Sequence, residues 1–568
     1  WPRLAVGATG IGLALALHLV NARTLIGLYL PLHRALSEGT LAVLLATAVV
    51  GLSGLPLRAL LGAVAVLGGT AAAMAPVVKP GPARPGVMFL GTELRHIAEA
   101  VEPAFDRDGD GIPPAPYGGD CDDRDPAVHP LAFEVTANGK DDNCRLGDRP
   151  RGAARPTRPA ATPPGLLTWR AAHPQPNVLL IFIDTWRWDH LSPELTPALS
   201  ALAARSTVFT QARTTAPRTP LAWMSLLRGR FLGRCLTCRA RLTSPGSQTV
   251  VHRLQAAGYE TYGRFVGRSW KRYHGVGGFS RQHQADSVQT LHGERVVADV
   301  RRWLRALQGK PEPFLLMGHF ADPHAPYKPN DLFPAGPGLR GRYAAEVRYT
   351  DHHLGRLLKD LERFGRMEDT IIAVFADHGE NLGEHGDAGG HHGVSLFDEV
   401  VRVPLLLYVP GVGGRTVDAP VSLVDLAPTL LELTGAQALP DTDGRSLAGY
   451  LFDAPPPPAP TVSEFYDFGH RLRAVVHGRF KLIHDVHHDV RLLFDVVSDP
   501  HERQDLLAAR PDVAAELQGW LDAWVERGAD AGEPLPGRCN DLVPRPKDGL
   551  EDAKAKRDKA KKKERGAP

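Results

Sequence analysis

With 568 residues the chain can hold a large core and more than one domain. Its 66 Lys and Arg nearly balance 63 Asp and Glu, and a net charge of +3 excludes general polyanion binding. No nucleic-acid partner is expected, and no internal repeat is visible.

Residues 1–78 stand apart in composition. Runs at 4–19, 41–55 and 59–74 are apolar, rich in Gly and Ala and nearly free of charge. They are about the length a bilayer requires, so this segment is expected to form transmembrane helices. A cleavable signal peptide would explain one run but not several in succession. The number of spans stays open, because residues 24–32 could belong to a further one.

After a linker (79–103) comes an Asp-rich module, 104–148. Asp106, Asp108, Asp110, Asp120, Asp122 and Asp125 alternate with turn-forming Gly and offer the hard oxygen ligands that calcium prefers. The twelfth position of an EF-hand loop would be Tyr117 rather than Glu, so this is a different motif. The module resembles the Asp-rich, Cys-paired repeats of bacterial surface proteins, akin to thrombospondin type 3 calcium repeats. That resemblance implies bound calcium and a Cys121–Cys144 disulfide, hence an oxidising compartment. Cys235 and Cys238 could form a second local bridge, and Cys539 is left odd. A Pro-, Arg- and Ala-rich linker (149–175) suits an extended spacer.

Residues 178–183 read as a buried strand that ends on Asp184. Thr219 follows in a segment closing on Ser225, Leu226, Leu227, Arg228 and Gly229, and Asp322 and His324 come later. Residues 371–375 read as another buried strand, which delivers Asp377 and His378 to its C-terminal end. Open α/β sheets bind their ligands at that edge. An adjacent carboxylate and imidazole on a tight Gly turn suit a divalent cation touching both. The Gly- and His-rich stretch then reaches His391 and His392. Residues 455–460, rich in Pro, mark the passage to a smaller unit with strands at 472–477, 479–484 and 491–496. Val513, Leu517, Leu521 and Trp524 have helical spacing, which predicts a packed helix over 511–527. The Lys-rich tail, 531–568, is expected to be solvated and disordered.

Taken in order, these motifs resemble the sulfatase family of the alkaline phosphatase superfamily over roughly residues 175–525. The resemblance implies an α/β sandwich with a large mixed sheet flanked by helices, here 176–455, and a small C-terminal α+β subdomain, 456–530. It implies displacement of a sulfuryl or phosphoryl group by a nucleophile that sits on metal. By alignment that nucleophile is Thr219. Asp184, Asp377 and His378 would hold a cation with it, one of Zn, Mn, Ca or Mg. His324 and His392 match positions that hold a second cation or contact the departing group, and Asp322 could join them. Arg187 and Lys481 lie in matching segments as substrate contacts. The loop 263–278, with its Arg, Lys and aromatic residues, could recognise an anionic or sugar group.

Departures from the family pattern bear on the chemistry. Sulfatases carry a Cys or Ser, oxidised to formylglycine, within Cys/Ser-x-Pro-Ser-Arg. This chain has Thr219, and Trp223 stands in place of the Arg. Threonine cannot give that aldehyde hydrate. His391 and His392 occupy the region where many sulfatases have a catalytic Lys. The sequence therefore implies a membrane-anchored, metal-dependent hydrolase of sulfate, phosphate or phosphonate esters on small-molecule, glycan or lipid substrates. Its catalytic part is expected on the periplasmic side of a bacterial inner membrane. The alternatives are a phospho-headgroup transferase acting on lipid or glycan, and a catalytically degenerate binding protein.

Overall fold

The computed structural model describes residues 162–231, 248–266, 279–285, 293–385, 389–439, 442–467, 470–486 and 489–529, with short pieces at 107–108, 121–126, 128 and 139–140. The apolar runs before residue 78 lie outside the described residues, as do Asp106, Asp110, Asp120, Cys144, Cys235, Cys238, Cys539, most of the loop 263–278 and the tail beyond 529. Among the described residues no helix is long and apolar enough to cross a membrane.

The main sheet grows from two uninterrupted apolar runs. Strand β1 (Asn177–Ile183) is buried along its whole length. So is Thr370–Phe375. Such runs, apolar on both faces, are what a sheet covered by helices on both sides requires. In chain order the other members are β2 (Thr207–Phe209), β4 (Glu260–Val266), β5 (Arg281–Ala285), β6 (Phe314–Phe320), β7 (Thr370–Phe375), β8 (Leu405–Tyr408) and β9 (Arg415–Val417). A two-residue strand β3 (Ala212–Arg213) pairs separately with β10 (Val421–Ser422). The eight strands of the main sheet run in the order β5-β4-β6-β1-β7-β8-β2-β9. β1 is parallel to both β6 and β7, with Ile183 opposite Phe320 and Phe182 opposite Phe375. β8 turns antiparallel against β7. The carboxyl ends of β6, β1 and β7 thus lie side by side, and three site-bearing loops leave from there.

A second sheet is antiparallel throughout: β11 (Thr461–Asp467), β12 (His470–His477), β13 (Phe480–Asp485) and β14 (Val490–Asp495). Side chains alternate across it. Val475, Leu482 and Leu493 meet Val513, Leu517, Leu521 and Trp524 of the helix Pro511–Ala529. Ala474, Ile483, Leu492 and Phe494 face the other way and pack on Leu396, Phe397 and Val401. That second face joins the small sheet to the segment just after the His391–His392 pair.

Candidate active site

Each ligand-bearing loop is held by its own geometry. Asp184 follows β1 directly, and its amide donates to Phe320 O at 2.8 Å, which ties the end of β1 to β6. Thr185 has φ of 59°, a left-handed conformation that a β-branched residue rarely adopts. Tyr343 holds it there: its hydroxyl donates to Thr185 O at 2.7 Å and accepts from Arg187 N at 2.9 Å. Strain of this kind persists where surrounding contacts over-determine it, commonly at functional sites.

Asp377 follows β7. Its Oδ1 accepts from His378 N at 2.9 Å and from Thr185 N at 3.4 Å, leaving Oδ2 turned inward. Gly379 comes next, and a Cβ there would lie 2.1 Å from Glu399 O. Glycine permits that close approach, and Gly379 N donates to Val400 O at 2.7 Å while Glu380 N donates to Glu399 O at 3.0 Å.

One oxygen each of Asp184 and Asp377 and one nitrogen of His378 lie within 4.8 Å of one another, all buried. His378 Nδ1 is 2.9 Å from Gly379 O, so it carries the proton and Nε2 presents a lone pair to the cluster. His378 Nε2 is 3.2 Å from Asp377 Oδ2. Asp184 Oδ1 and Asp377 Oδ2 are sealed from solvent and have no hydrogen-bond partner. Two carboxylate oxygens and an imidazole nitrogen converging at this depth fit a divalent cation. Charge points the same way. Burial, and then the Asp184 carboxylate, push Asp377 well above the usual carboxylate range. Burial acts on Asp184 as well, but the hydrogen bond from His319 and the charges of His324, His319 and His378 hold it below that range.

Thr219 is the first residue of the helix Thr219–Arg228, and Pro220 in that first turn favours the start of a helix. Its Oγ1 is 3.1 Å from His378 Nε2. Thr219 is half-buried. A hydroxyl at a helix N-terminus, touching the inward face of a carboxylate and imidazole cluster, is placed to become an anion.

His392 and His324 complete the ring. The His392 imidazole lies 4.2 Å from that of His378 and 5.0 Å from that of His324, between centroids. His392 Nδ1 is 3.0 Å from Glu380 Oε1, an arrangement that fixes the tautomer and turns Nε2 away from the carboxylate. His324 Nδ1 is 2.8 Å from Ala325 O. Burial, then His378 and His324, hold His392 well below the ordinary imidazole range. His324 goes the other way: burial disfavours its charge, but Asp184 and Glu380 lift it above that range.

Three residues assigned from sequence lie elsewhere. Lys481 sits on β13 with no exposed side-chain area, bonded to Asp398 Oδ1 at 2.6 Å and Glu502 Oε1 at 2.8 Å. It cannot reach a substrate from there. Arg187 is also sealed: its guanidinium is spent on Asp189, Glu384 and the Glu380 carbonyl, at 2.7–2.9 Å. It buttresses the Asp377 loop from behind. The Asp322 Oδ1 accepts from Gly293 N at 2.9 Å, at the start of the helix Gly293–Ala306, and the carboxyl is pushed up to about 7 by burial. It stands outside the Asp184, Asp377 and His378 group. In the Asp-rich module, Asp125 Oδ2 is bonded to Lys140 at 2.7 Å, so a lysine occupies one expected calcium ligand.

Sequence reasoning missed His319 and Glu380. His319 Nε2 is 3.1 Å from Asp184 Oδ2, and the ring stacks on Phe182 at 4.1 Å. As the penultimate residue of a buried apolar strand it was the one polar side chain in that run, which was the available signal. Trp223, in place of the arginine, is fully buried and stacked on Phe182 at 5.4 Å and Phe375 at 6.4 Å.

Comparison with known proteins agrees with this geometry. Residues 176–436 match the sulfatase family model, and 383–525 match the model of the N-sulphoglucosamine sulphohydrolase C-terminal region. Residues 120–145 match the model of a metal-binding motif. The chain is 25% identical to an ulvan-active sulfatase of Formosa agariphila over 64% of its own length and 83% of the relative. It is 28% identical to the steryl-sulfatase of Rattus norvegicus over 44% of its length, spanning half of that relative. The solved phosphonate monoester hydrolase of Agrobacterium radiobacter shares the fold, with a TM-score of 0.53 at 21% identity, covering 63% of this chain and 96% of that one. The region 176–525 is therefore sulfatase-like, that of a sulfuric ester hydrolase.

Proposed function

We propose that this protein hydrolyses sulfate, phosphate or phosphonate monoesters with Thr219 as its nucleophile. The observation that carries this reading is the 3.1 Å approach of Thr219 Oγ1 to His378 Nε2 inside a buried ring of ligand-type side chains. A divalent cation held by Asp184, Asp377 and His378 would lower the pKa of a hydroxyl beside it and offset the negative charge of the ester. Thr219 Oγ1 then forms a bond to phosphorus or sulfur while the bond to the alcohol oxygen breaks. His324 and His392 face the departing alkoxide, and His324 is the one whose surroundings favour the protonated form needed to neutralise it. Water attacks the Thr219 ester in a second step, releasing inorganic anion and restoring the hydroxyl.

Threonine favours phosphate or phosphonate over sulfate, since it cannot supply the aldehyde hydrate of formylglycine chemistry. Relatives named for ulvan and for steryl sulfates make a glycan or lipid ester the natural substrate class to try first. The apolar runs before residue 78 support anchoring in a membrane. The metal-binding motif matched over 120–145 is in keeping with bound calcium in the 104–148 module, and a Cys121–Cys144 bridge there would place the catalytic domain in the periplasm.

The test is hydrolysis of matched aryl phosphate, phosphonate and sulfate esters by the full chain, with divalent metals titrated. Turnover that needs both Thr219 and a metal supports the reading. Turnover retained in Thr219→Ala overturns it.

A further inference from the structure

Resting on the metal-dependent reading above, we propose that His319 is a positioning residue for the cation: it ties down one oxygen of Asp184 and so makes that carboxylate a one-oxygen ligand. The register of the sheet puts it there. In the parallel pairing of β1 with β6, His319 lies opposite Phe182. Side chains two apart on a strand share a face, and Asp184 comes two residues after Phe182. The Asp184 amide continues the ladder by donating to Phe320 O at 2.8 Å, so its carboxylate stands on the same face as the His319 ring.

The two oxygens of Asp184 have different surroundings. Oδ2 is 3.1 Å from His319 Nε2. Oδ1 is 3.9 Å from His378 Nε2, on the cluster side, and has no hydrogen-bond partner. An ionised carboxylate can only accept, so His319 Nε2 is the donor. The bond occupies Oδ2 and leaves Oδ1 facing His378.

The ring has little room to turn away. It is buried, and it stacks on Phe182 at 4.1 Å with an interplanar angle of 13°. Phe182 is itself stacked on Trp223 and Phe375, at 5.4 Å and 5.7 Å. An imidazole in an otherwise apolar buried strand carries a desolvation cost that an apolar ring in its place would avoid. Fixing a ligand carboxylate is a return on that cost, because partners that orient metal ligands commonly change affinity about 10–100-fold.

The experiment measures Mn²⁺ and Ca²⁺ binding calorimetrically to the full, metal-stripped chain, with Asp377→Asn as the blank for ions held elsewhere. His319→Gln keeps a donor near the Nε2 position and His319→Leu does not. Both lose the ring, so their difference reads the bond alone. His319→Phe keeps the stack and loses the bond, and circular dichroism of each metal-free protein reports its fold. His319→Leu and His319→Phe are expected to weaken the Asp377-dependent Mn²⁺ binding about 10–100-fold, and His319→Gln to retain most of it. Calcium should lose less, since a released Oδ2 can join Oδ1 on an ion that takes about six to eight oxygens.

Mn²⁺ binding as tight in His319→Leu as in His319→Gln overturns the assignment. So does an equal loss of both ions, the mark of a loosened scaffold, or a wild type that binds neither. Ester hydrolysis by wild type is a separate arm. His319-dependent metal binding in a protein inert on every ester would sink the hydrolase reading and leave this one standing.

Discussion

Lys481 Nζ lies 2.6 Å from Asp398 Oδ1, and neither side chain has any exposed area. Arg213 Nη2 reaches the other oxygen of Asp398 at 2.6 Å, and Glu502 takes Lys481 at 2.8 Å while accepting from the Asp398 amide. This joint connects the small sheet to the catalytic half. Its neighbours Glu399 and Val400 accept hydrogen bonds from Glu380 and Gly379, so the chain of contacts runs from Lys481 to the loop carrying Asp377 and His378.

Removing Lys481 therefore leaves Glu502 without its counter-charge and Asp398 with Arg213 alone. Lys481→Met is expected to cost about 3–5 kcal/mol of stability, the usual penalty for breaking a buried pair from one side. Denaturant unfolding checks this. A variant of native stability with only a raised KM would return Lys481 to a substrate-binding role.

Thr219→Ala removes one hydroxyl from a half-buried helix start, so the fold should survive with a stability change of about 1 kcal/mol or less. Turnover should fall by at least roughly 10³-fold, because the hydroxyl proposed to form the covalent ester is gone. Thr219→Ser keeps the hydroxyl and should keep measurable activity. Circular dichroism alongside ester hydrolysis separates loss of chemistry from loss of fold.

Much of the site was legible because its residues follow apolar runs. The stretch 371–375 reads as a strand, and the structure has β7 at Thr370–Phe375 with Asp377 and His378 just beyond. The strands expected at 472–477, 479–484 and 491–496 are also present, as His470–His477, Phe480–Asp485 and Val490–Asp495, within two residues at each end. β11 escaped notice, since Thr461–Asp467 follows a proline run and ends on polar residues. The roles of Arg187 and Lys481 could not be read from sequence at all. Whether a cation faces substrate or is spent on Asp189 or Asp398 depends on residues up to 197 positions away, which only packing brings together.

The apo cluster should depend on metal for stability. Asp184 and Asp377 are both buried, and the folded state holds Asp377 far above its unfolded pKa. A group raised in this way binds more protons folded than unfolded, so metal-free stability falls as pH rises above about 4. A chelator at pH 8 is expected to lower the melting temperature by several degrees, about 1–2 kcal/mol for a domain of this size. Asp377→Asn should remove most of the chelator's effect along with the activity. An equal melting point with and without chelator in wild type would exclude a resident cation here.

Glu346 offers a second pH dependence, remote from Thr219. Its carboxyl is nearly sealed, with Oε1 lacking a partner, and burial followed by Asp322 lifts it to about 8. Its folded pKa lies above the unfolded value near 4.5, so stability is greatest below about 4.5 and declines as pH rises to 8. Glu346→Gln abolishes that titration. The variant should gain on the order of 1–3 kcal/mol over wild type at pH 8 and little at pH 4.5. Denaturant melts at the two values decide it, and a loss at pH 8 would show the carboxylate to be satisfied by a partner.

Trp223 invites the opposite experiment, restoring the arginine of the sulfatase motif. The indole lies flat against Phe182, with an interplanar angle of 5°, and against Phe375 at 8°, beneath the ends of β1 and β7. A guanidinium placed there would enter an aromatic stack with no carboxylate of its own. Desolvating an unpaired charge costs several kcal/mol, more than any gain at the nucleophile. Trp223→Arg is thus expected to express poorly or unfold, and Trp223→Phe to lose only about 1–3 kcal/mol while keeping activity. A folded Trp223→Arg with improved turnover would mean that the helix can rotate to present position 223 to Thr219.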